Sequence, residues 1–310
     1  MTRSDSPSLR KPAAEVEVDP NLVATLLRAQ HPDLAALPLR PAASGWDNAL
    51  FRLGDELCVR LPRRALGARL LTHEQDWLPR LAGGLPLPVP APVRVGHPGE
   101  GYPWSWSIVP WFEGVTADRG PFDSAAVPTW ASFLSTLHGL PVPRSSDVPA
   151  VPANVFRGVP LATRRVPVEE RLQRLAKATQ CITPSVGEAW EEALRSPVPA
   201  APRWLHGDLH PRNVLSQDGR PCAVLDWGDL TVGDVATDLA SVWMLFARRE
   251  DRVRALALYG ADQATVQRAR GWAILFAAVL LDTGRPDGDS PGDPDQARTG
   301  ERIFARIGQD

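Results

Sequence analysis

The segment Trp204-Leu-His-Gly-Asp-Leu-His-Pro-Arg-Asn-Val-Leu215, followed by Val224-Leu-Asp-Trp-Gly-Asp229, constrains this chain more than any other stretch. Two short apolar runs carry three polar side chains, Asp208, Asn213 and Asp226. Leu205, Leu209, Val214 and Leu215 pin a loop on a core and leave the Asp208 carboxylate facing a cleft. Asp226 stands at the end of the apolar strand Ala223-Val-Leu225, where a rigid element can aim it.

The remaining pattern divides near Glu113. Residues 1–18 are polar, charged and Pro-containing and read as a disordered lead-in. Asp19-Pro20 caps a short helix over 21–30 with Leu22, Val23, Leu26 and Leu27 on one face. Strands are expected at 37–42, 50–53 and 57–61, the last two joined by a Gly54-Asp55 turn. A helix over 64–78 follows, ended by Pro79, and strands at 93–96 and 105–111 complete an antiparallel sheet. Beyond Glu113-Gly114 the pattern is mainly helical, at 124–140, 168–178, 185–195, 235–248, 252–259, 264–281 and 296–307, with Pro-rich loops at 141–153 and 197–203. Strands before helices predict an α+β chain: a small antiparallel-sheet lobe over 19–113 and a larger helical lobe over 114–310. A chain of 310 residues can give each lobe its own core.

Composition narrows the partners. A net charge of −2 offers no basic footprint for nucleic acid. No apolar run reaches the roughly 20 residues that span a bilayer, so no membrane partner is expected. The first residues lack the apolar core of a secretory signal. Cys58, Cys181 and Cys222 are odd in number and widely spaced, which fits a reducing cytoplasm better than a disulfide framework or a zinc site.

The three polar groups match the needs of phosphoryl transfer. One carboxylate orients or accepts the proton of the attacking hydroxyl, while an amide oxygen and a second carboxylate hold Mg²⁺ against the phosphates. His206-Gly-Asp-Leu-His-x-x-Asn213, Leu225-Asp-Trp-Gly-Asp229 and Gly233-Asp-Val-Ala-Thr-Asp-Leu-Ala240 together resemble the aminoglycoside phosphotransferase family, which includes the macrolide and related small-molecule kinases. The resemblance runs from about Gly45 to Leu281. It implies a two-lobed, protein-kinase-like fold that binds ATP or GTP with Mg²⁺ in its cleft. It also implies phosphate transfer to a hydroxyl of a small molecule, often an antibiotic. Asp208 is then the catalytic residue, and Asn213 and Asp226 are the metal ligands.

The same resemblance assigns the smaller lobe to the nucleotide. Ser44-Gly-Trp-Asp-Asn48 takes the place of a phosphate-covering loop, with a single Gly where protein kinases have three. Arg60 stands where the family pattern places a phosphate-gripping lysine, a substitution shared with the macrolide branch; Glu74 is its natural helix partner and Asp76 the alternative. Cys58 would form part of the ceiling over the purine. Pro110 has no N–H, so the purine's backbone donors come from Trp111 or Phe112.

Other residues admit two readings. His206-x-Asp-x-His210 could ligate zinc or iron in a metal-dependent phosphohydrolase. In the family reading His206 is a hydrogen-bonding residue that holds the loop, and His210 replaces a lysine found in many protein kinases. Asp229 orients the metal site or caps a turn; Asp234 caps the helix that follows; Asp238 fixes backbone in the larger lobe; and His138 is a packed, hydrogen-bonded core residue. A nucleotide-binding protein without transfer activity is the remaining alternative, for which Arg60 in the lysine's place speaks. The acceptor is open among an aminoglycoside, a macrolide, and a sugar or other metabolite. The acidic run of Asp282, Asp287, Asp289, Asp293 and Asp295 is either a surface for a cationic aminoglycoside or a solvated loop.

Overall fold

In the computed structural model, which describes residues 13–45, 47–143, 148–198, 201–286 and 291–310, Asp19 caps helix α1 (Pro20–Gln30) by accepting the Leu22 N–H at 2.7 Å. Val23, Leu26 and Leu27 bury one face of α1 against a five-stranded antiparallel sheet. The sheet comprises β1 (Leu39–Ser44), β2 (Asn48–Leu53) and β3 (Leu57–Pro62), then, after helix α2 (Ala65–Leu81), β4 (Arg94–Gly96) and β5 (Trp106–Pro110). Its order is β1-β2-β3-β5-β4. Gly54, at φ 61°, makes the β2–β3 reversal a conformation that a side chain would strain. The β1 register slips between Pro41 and Ala43; Pro41 cannot donate to a ladder, and an edge strand tolerates that.

Two expectations fail here. Pro79 does not end its helix. Lacking an N–H, it removes only the bond to the Gln75 carbonyl, and α2 continues to Leu81, with the Ala82 N–H bonded to Leu78 O. Residues 13–18, expected in the disordered lead-in, dock on the sheet lobe; 1–12 lie outside the described residues. Glu15 and Val16 donate backbone N–H groups to Arg63 O at 2.9 and 3.2 Å, and Glu15 Oε2 accepts the Ala65 N–H at 3.0 Å. Glu15 thereby gives α2 the capping oxygen that Arg64 at its N-cap does not supply.

The larger lobe begins with β6 (Val115–Thr116), α3 (Ala126–Gly139), α4 (Arg165–Ala178) and α5 (Pro184–Arg195). Four strands follow: β7 (Arg203–Leu205), β8 (Val214–Gln217), β9 (Arg220–Val224) and β10 (Thr231–Gly233). β6, β8 and β9 form one small sheet, and β7 pairs with β10. At two or three residues, β6, β7 and β10 are too short to leave a periodic signal. Helices α6 (Ala236–Leu239), α7 (Ser241–Leu245), α8 (Arg249–Tyr259), α9 (Gln263–Gly284) and α10 (Pro294–Gly308) complete the chain.

The single helix expected over 235–248 is two short ones that stop at Leu245. Guanidinium groups take the carbonyls at and just beyond the end: Arg306, from the last helix, bonds Trp243 O and Met244 O, each at 2.8 Å, and Arg252, from the next helix, bonds Ala247 O at 2.9 Å. Helix α9 is longer than the expected 264–281 and apolar enough by length and composition to cross a membrane, with 67% of its most apolar window buried in protein. Its packing against α10, α5, α6 and α4 accounts for that apolar character.

Two cores result. Phe51, Leu53, Val59, Leu61, Trp106 and Ile108 join α1 in the smaller one. Trp77, Leu78 and Leu81 of α2 join the larger one, where the Trp77 ring lies 4.8 Å from that of Trp204. Helix α2 thus belongs to the first lobe by chain order and rests on the second by packing.

Candidate active site

The loop between β7 and β8 is held from behind. Asp238 is fully buried and accepts the backbone N–H of His206 through Oδ2 and that of Gly207 through Oδ1, both at 2.8 Å. Gly207 has φ 88°, and a Cβ there would sit 2.6 Å from the Asp229 carbonyl. His206 Nδ1 accepts the Asp208 N–H at 3.2 Å, which leaves Nε2 protonated to donate to Leu225 O at 2.9 Å. His210 Nδ1 accepts the Arg212 N–H at 3.2 Å, and its Nε2 lies 3.4 Å from Asp208 Oδ2. His206 thus has both ring nitrogens bonded and His210 has one, and among the described residues no group of three or more His, Cys, Asp or Glu side chains could hold a metal ion, so the phosphohydrolase reading finds no ligand set. His138 bonds Tyr259 at 2.9 Å and approaches Asp238 at 3.3 Å, inside the core. Asp234 accepts the Ala236 N–H at 3.1 Å and also forms a buried pair with Arg268 at 2.6 Å.

Asn213 Nδ2 donates to Asp208 O at 2.9 Å, and its Oδ1 accepts no hydrogen bond among the described residues. Asn213 O accepts the Leu225 N–H at 2.8 Å, tying this residue to the chain just before Asp226. Asp226 adopts φ 57°, a left-handed conformation that costs a non-Gly residue about 1–3 kcal/mol. Its side chain is 60% exposed. An amide oxygen and an open carboxylate on adjacent backbone suit Mg²⁺, which takes oxygen ligands and leaves much of its shell to water and phosphate.

From the other lobe, Arg60 on β3 forks onto Glu74 of α2 at 2.5 and 2.9 Å and reaches Asp226 Oδ1 at 3.4 Å. Burial lifts the Glu74 carboxyl to about 7 against the pull of Arg60. Burial also opposes the charge on Arg60, but the Glu74 and Asp226 carboxylates hold it firmly protonated. Cys58, two residues back on β3, is buried, and desolvation pushes its thiol up to about 11.

The Ser44–Asn48 loop is described except for Trp46. Asp47 O accepts the Arg63 N–H at 2.7 Å, and the Asp47 carboxylate meets Arg64 at 3.2 Å. Asn48 Oδ1 is buried without a partner among the described residues. After β5, the Trp111 N–H is already donated to Glu56 O at 2.7 Å, so of the two expected backbone donors this one is taken. The Trp111 indole lies under the Arg52 guanidinium at 4.9 Å.

Arg157 was not visible as a site residue in the sequence. Its Nη2 lies 3.1 Å from Asp208 Oδ1. Nearby Asn154 donates to Asp229 Oδ1 at 2.6 Å. Burial and then the Asp208 charge push the Asp229 carboxyl up. For Asp208, burial works against the carboxylate, but His210, Arg157 and His206 together hold its pKa below the ordinary value. The Arg157–Asp208 contact spans 51 residues, and no local spacing announces it.

The acidic run after α9 is neutralised where it is described. Asp282 meets Arg171 and Arg174, each at 2.8 Å. Asp293 pairs with Arg212 at 2.7 Å and caps α10, while Asp295 pairs with Arg298. Asp287 and Asp289 lie outside the described residues.

Comparison with known proteins places this geometry. Aminoglycoside 2'-phosphotransferase-IIIa, solved as its GDP complex, superposes with a TM-score of 0.67 at 18% identity over 91% of this chain and 97% of its own. A macrolide 2'-phosphotransferase from Brachybacterium faecium gives 0.58 at 23% identity over 90% and 97%. Among curated proteins, the uncharacterized protein YcbJ of Bacillus subtilis (strain 168) is 27% identical over 204 residues, which is 64% of this chain and 60% of that protein. The chain therefore matches about three fifths of that relative's length. The family described as the phosphotransferase enzyme family matches residues 38–273, well over half of the chain. The chain belongs to the phosphotransferase enzyme family.

Proposed function

We propose that this chain is a small-molecule kinase that moves the γ-phosphoryl group of a nucleoside triphosphate to a hydroxyl of its acceptor. The convergence of Asp208, Asn213 and Asp226 with the Arg60–Glu74 pair carries this reading. Relatives of similar fold solved with GDP, ADP and ATP support a nucleotide donor. Arg60 would grip the α- and β-phosphates, Asn48 and its loop would cover them, and Phe112 would meet the purine beside Cys58. Asn213 Oδ1 and the Asp226 carboxylate would hold Mg²⁺, which when bound neutralises charge on the phosphate oxygens. The acceptor oxygen forms a bond to the γ-phosphorus as the bond to the β–γ bridging oxygen breaks. The hydroxyl proton passes to Asp208, and a nucleoside diphosphate leaves. Asp208 and the metal ligands supply positioning and electrostatics.

The test is nucleoside diphosphate formation from ATP and from GTP, with and without Mg²⁺, over a panel of hydroxylated aminoglycosides, macrolides, sugars and hydroxy acids. Acceptor-dependent, Mg²⁺-dependent turnover is expected. Purified protein that binds neither Mg²⁺–ATP nor Mg²⁺–GTP would overturn the reading.

A further inference from the structure

The surface beside Asp208 is cationic, and its guanidinium donors are only partly used among the described residues. Arg157 lies over the Phe276 ring at 4.9 Å while touching Asp208. Arg164 lies over Phe156 at 5.0 Å, and Phe156 is 56% exposed next to exposed Val155. The Nε atoms of both arginines are buried without a hydrogen-bond acceptor among the described residues. Arg164 has no carboxylate partner there either. Burial and then the charges of Arg157 and Arg171 push its pKa down, so it sits among guanidinium groups with nothing to balance it.

Of the carboxylates expected to suit a cationic acceptor, Asp282 and Asp293 are already held by arginines. Asp282 is shared by two, Asp293 is held by Arg212, and Asp229 accepts from Asn154. A polycationic acceptor entering here would meet Arg157 in the same step as Asp208. An acceptor bearing an anion would instead satisfy guanidinium donors that are only partly used, with the charge-assisted forked bonds such groups form best.

We infer that the acceptor is an amphipathic hydroxy compound with an anionic group, a carboxylate or phosphate-type oxyanion, bound by Arg157 and Arg164 beside an apolar body resting on Val155 and Phe156. This rests on the kinase reading for the role of the hydroxyl. The anion draws the Arg157 guanidinium off Asp208 Oδ1, and the carboxylate becomes available to the acceptor hydroxyl. Acceptor recognition and release of the base are then one event.

A matched set of hydroxylated probes tests this: 3-phenyllactate, the corresponding hydroxyphosphonate, the neutral amide of 3-phenyllactate, and the cationic phenylalaninol. Calorimetric binding and diphosphate formation are measured on the full chain, with Mg²⁺–nucleotide binding measured separately. The anions are expected to bind saturably, the amide about tenfold more weakly or worse, and phenylalaninol without saturation. Arg164→Gln, at a half-buried side chain outside the cores, should weaken anion binding about tenfold with an unchanged unfolding midpoint. Arg157→Lys should raise the acceptor KM more than it lowers kcat. The carboxylate and phosphonate arms tell which anion is preferred. Preference for the cation, equal anion affinity in wild type and Arg164→Gln, or no saturable anion binding by protein that still binds nucleotide would overturn the inference. Loss of nucleotide binding with anion binding intact would instead remove the kinase reading and keep the arginine site.

Discussion

Each lobe sets an arginine on a carboxylate, and the two pairs differ in kind. Arg60–Glu74 is forked, with side chains only 9% and 3% exposed, and it links a strand of the smaller lobe to the helix that packs on the larger core. Arg157–Asp208 is a single contact at 3.1 Å, with side chains 19% and 21% exposed, made by a loop residue. The first pair is set before any ligand arrives, because separating two desolvated charges leaves each uncompensated. The second is held by one contact only, and an incoming anion can take the place of the carboxylate on Arg157. Under the proposed function, a rigid pair on the nucleotide side and an exchangeable one on the acceptor side suit a constant donor and an acceptor that must displace something to bind.

Substitutions at the two pairs should widen this contrast. The largest effect is expected at the lower carboxylate: Asp208→Asn should reduce diphosphate formation by about 10²–10⁴-fold, with nucleotide affinity nearly unchanged in titrations. Retention of most activity would remove Asp208 from catalysis. Next, Glu74→Ala leaves a buried guanidinium with only its 3.4 Å contact to Asp226 and should cost about 3–5 kcal/mol in urea unfolding, partly recovered when Arg60→Met is added. A loss below about 1 kcal/mol would mean the upper pair is as replaceable as an exposed ion pair. Arg60→Ala should raise the nucleotide KM or lower kcat by roughly one to two orders of magnitude, and Arg60→Lys should recover part of this. Unchanged kinetics would move the phosphate grip to another residue of the Arg60–Arg64 run. The smallest effect is on stability at the lower pair. Arg157→Ala should cost less unfolding free energy than Glu74→Ala, because the pair is less enclosed and Asp208 keeps its His210 neighbour, and an equal loss would show that this contact is structural.

Much of the architecture was legible because it is written in short-range pattern. The Asp19-Pro20 cap, the Gly54 reversal and the apolar faces of α1 and α5 are local, and the structure has elements at each. Two of the failed expectations involve a distant group: Glu15 reached α2 from the lead-in, and Arg306 took the last carbonyls of α7 from α10. At the site, the spacing of Asp208, Asn213 and Asp226 pointed to one loop and one strand end. The forked partner of Arg60 was narrowed by α2 offering one glutamate at the right place.

The sequence by itself determined the order of the two lobes and the residue types at the cleft, because backbone propensity, caps and a motif on consecutive residues depend on neighbours in the chain. Only the tertiary structure decided that Trp77 ties α2 to the larger core, that the His206 ring bridges the loop to the Leu225 carbonyl, and that Arg157 rests on Asp208. Those contacts join residues far apart in sequence. Their geometry follows from how helices and sheets pack and which polar groups burial forces to find partners, and no spacing along the chain encodes that.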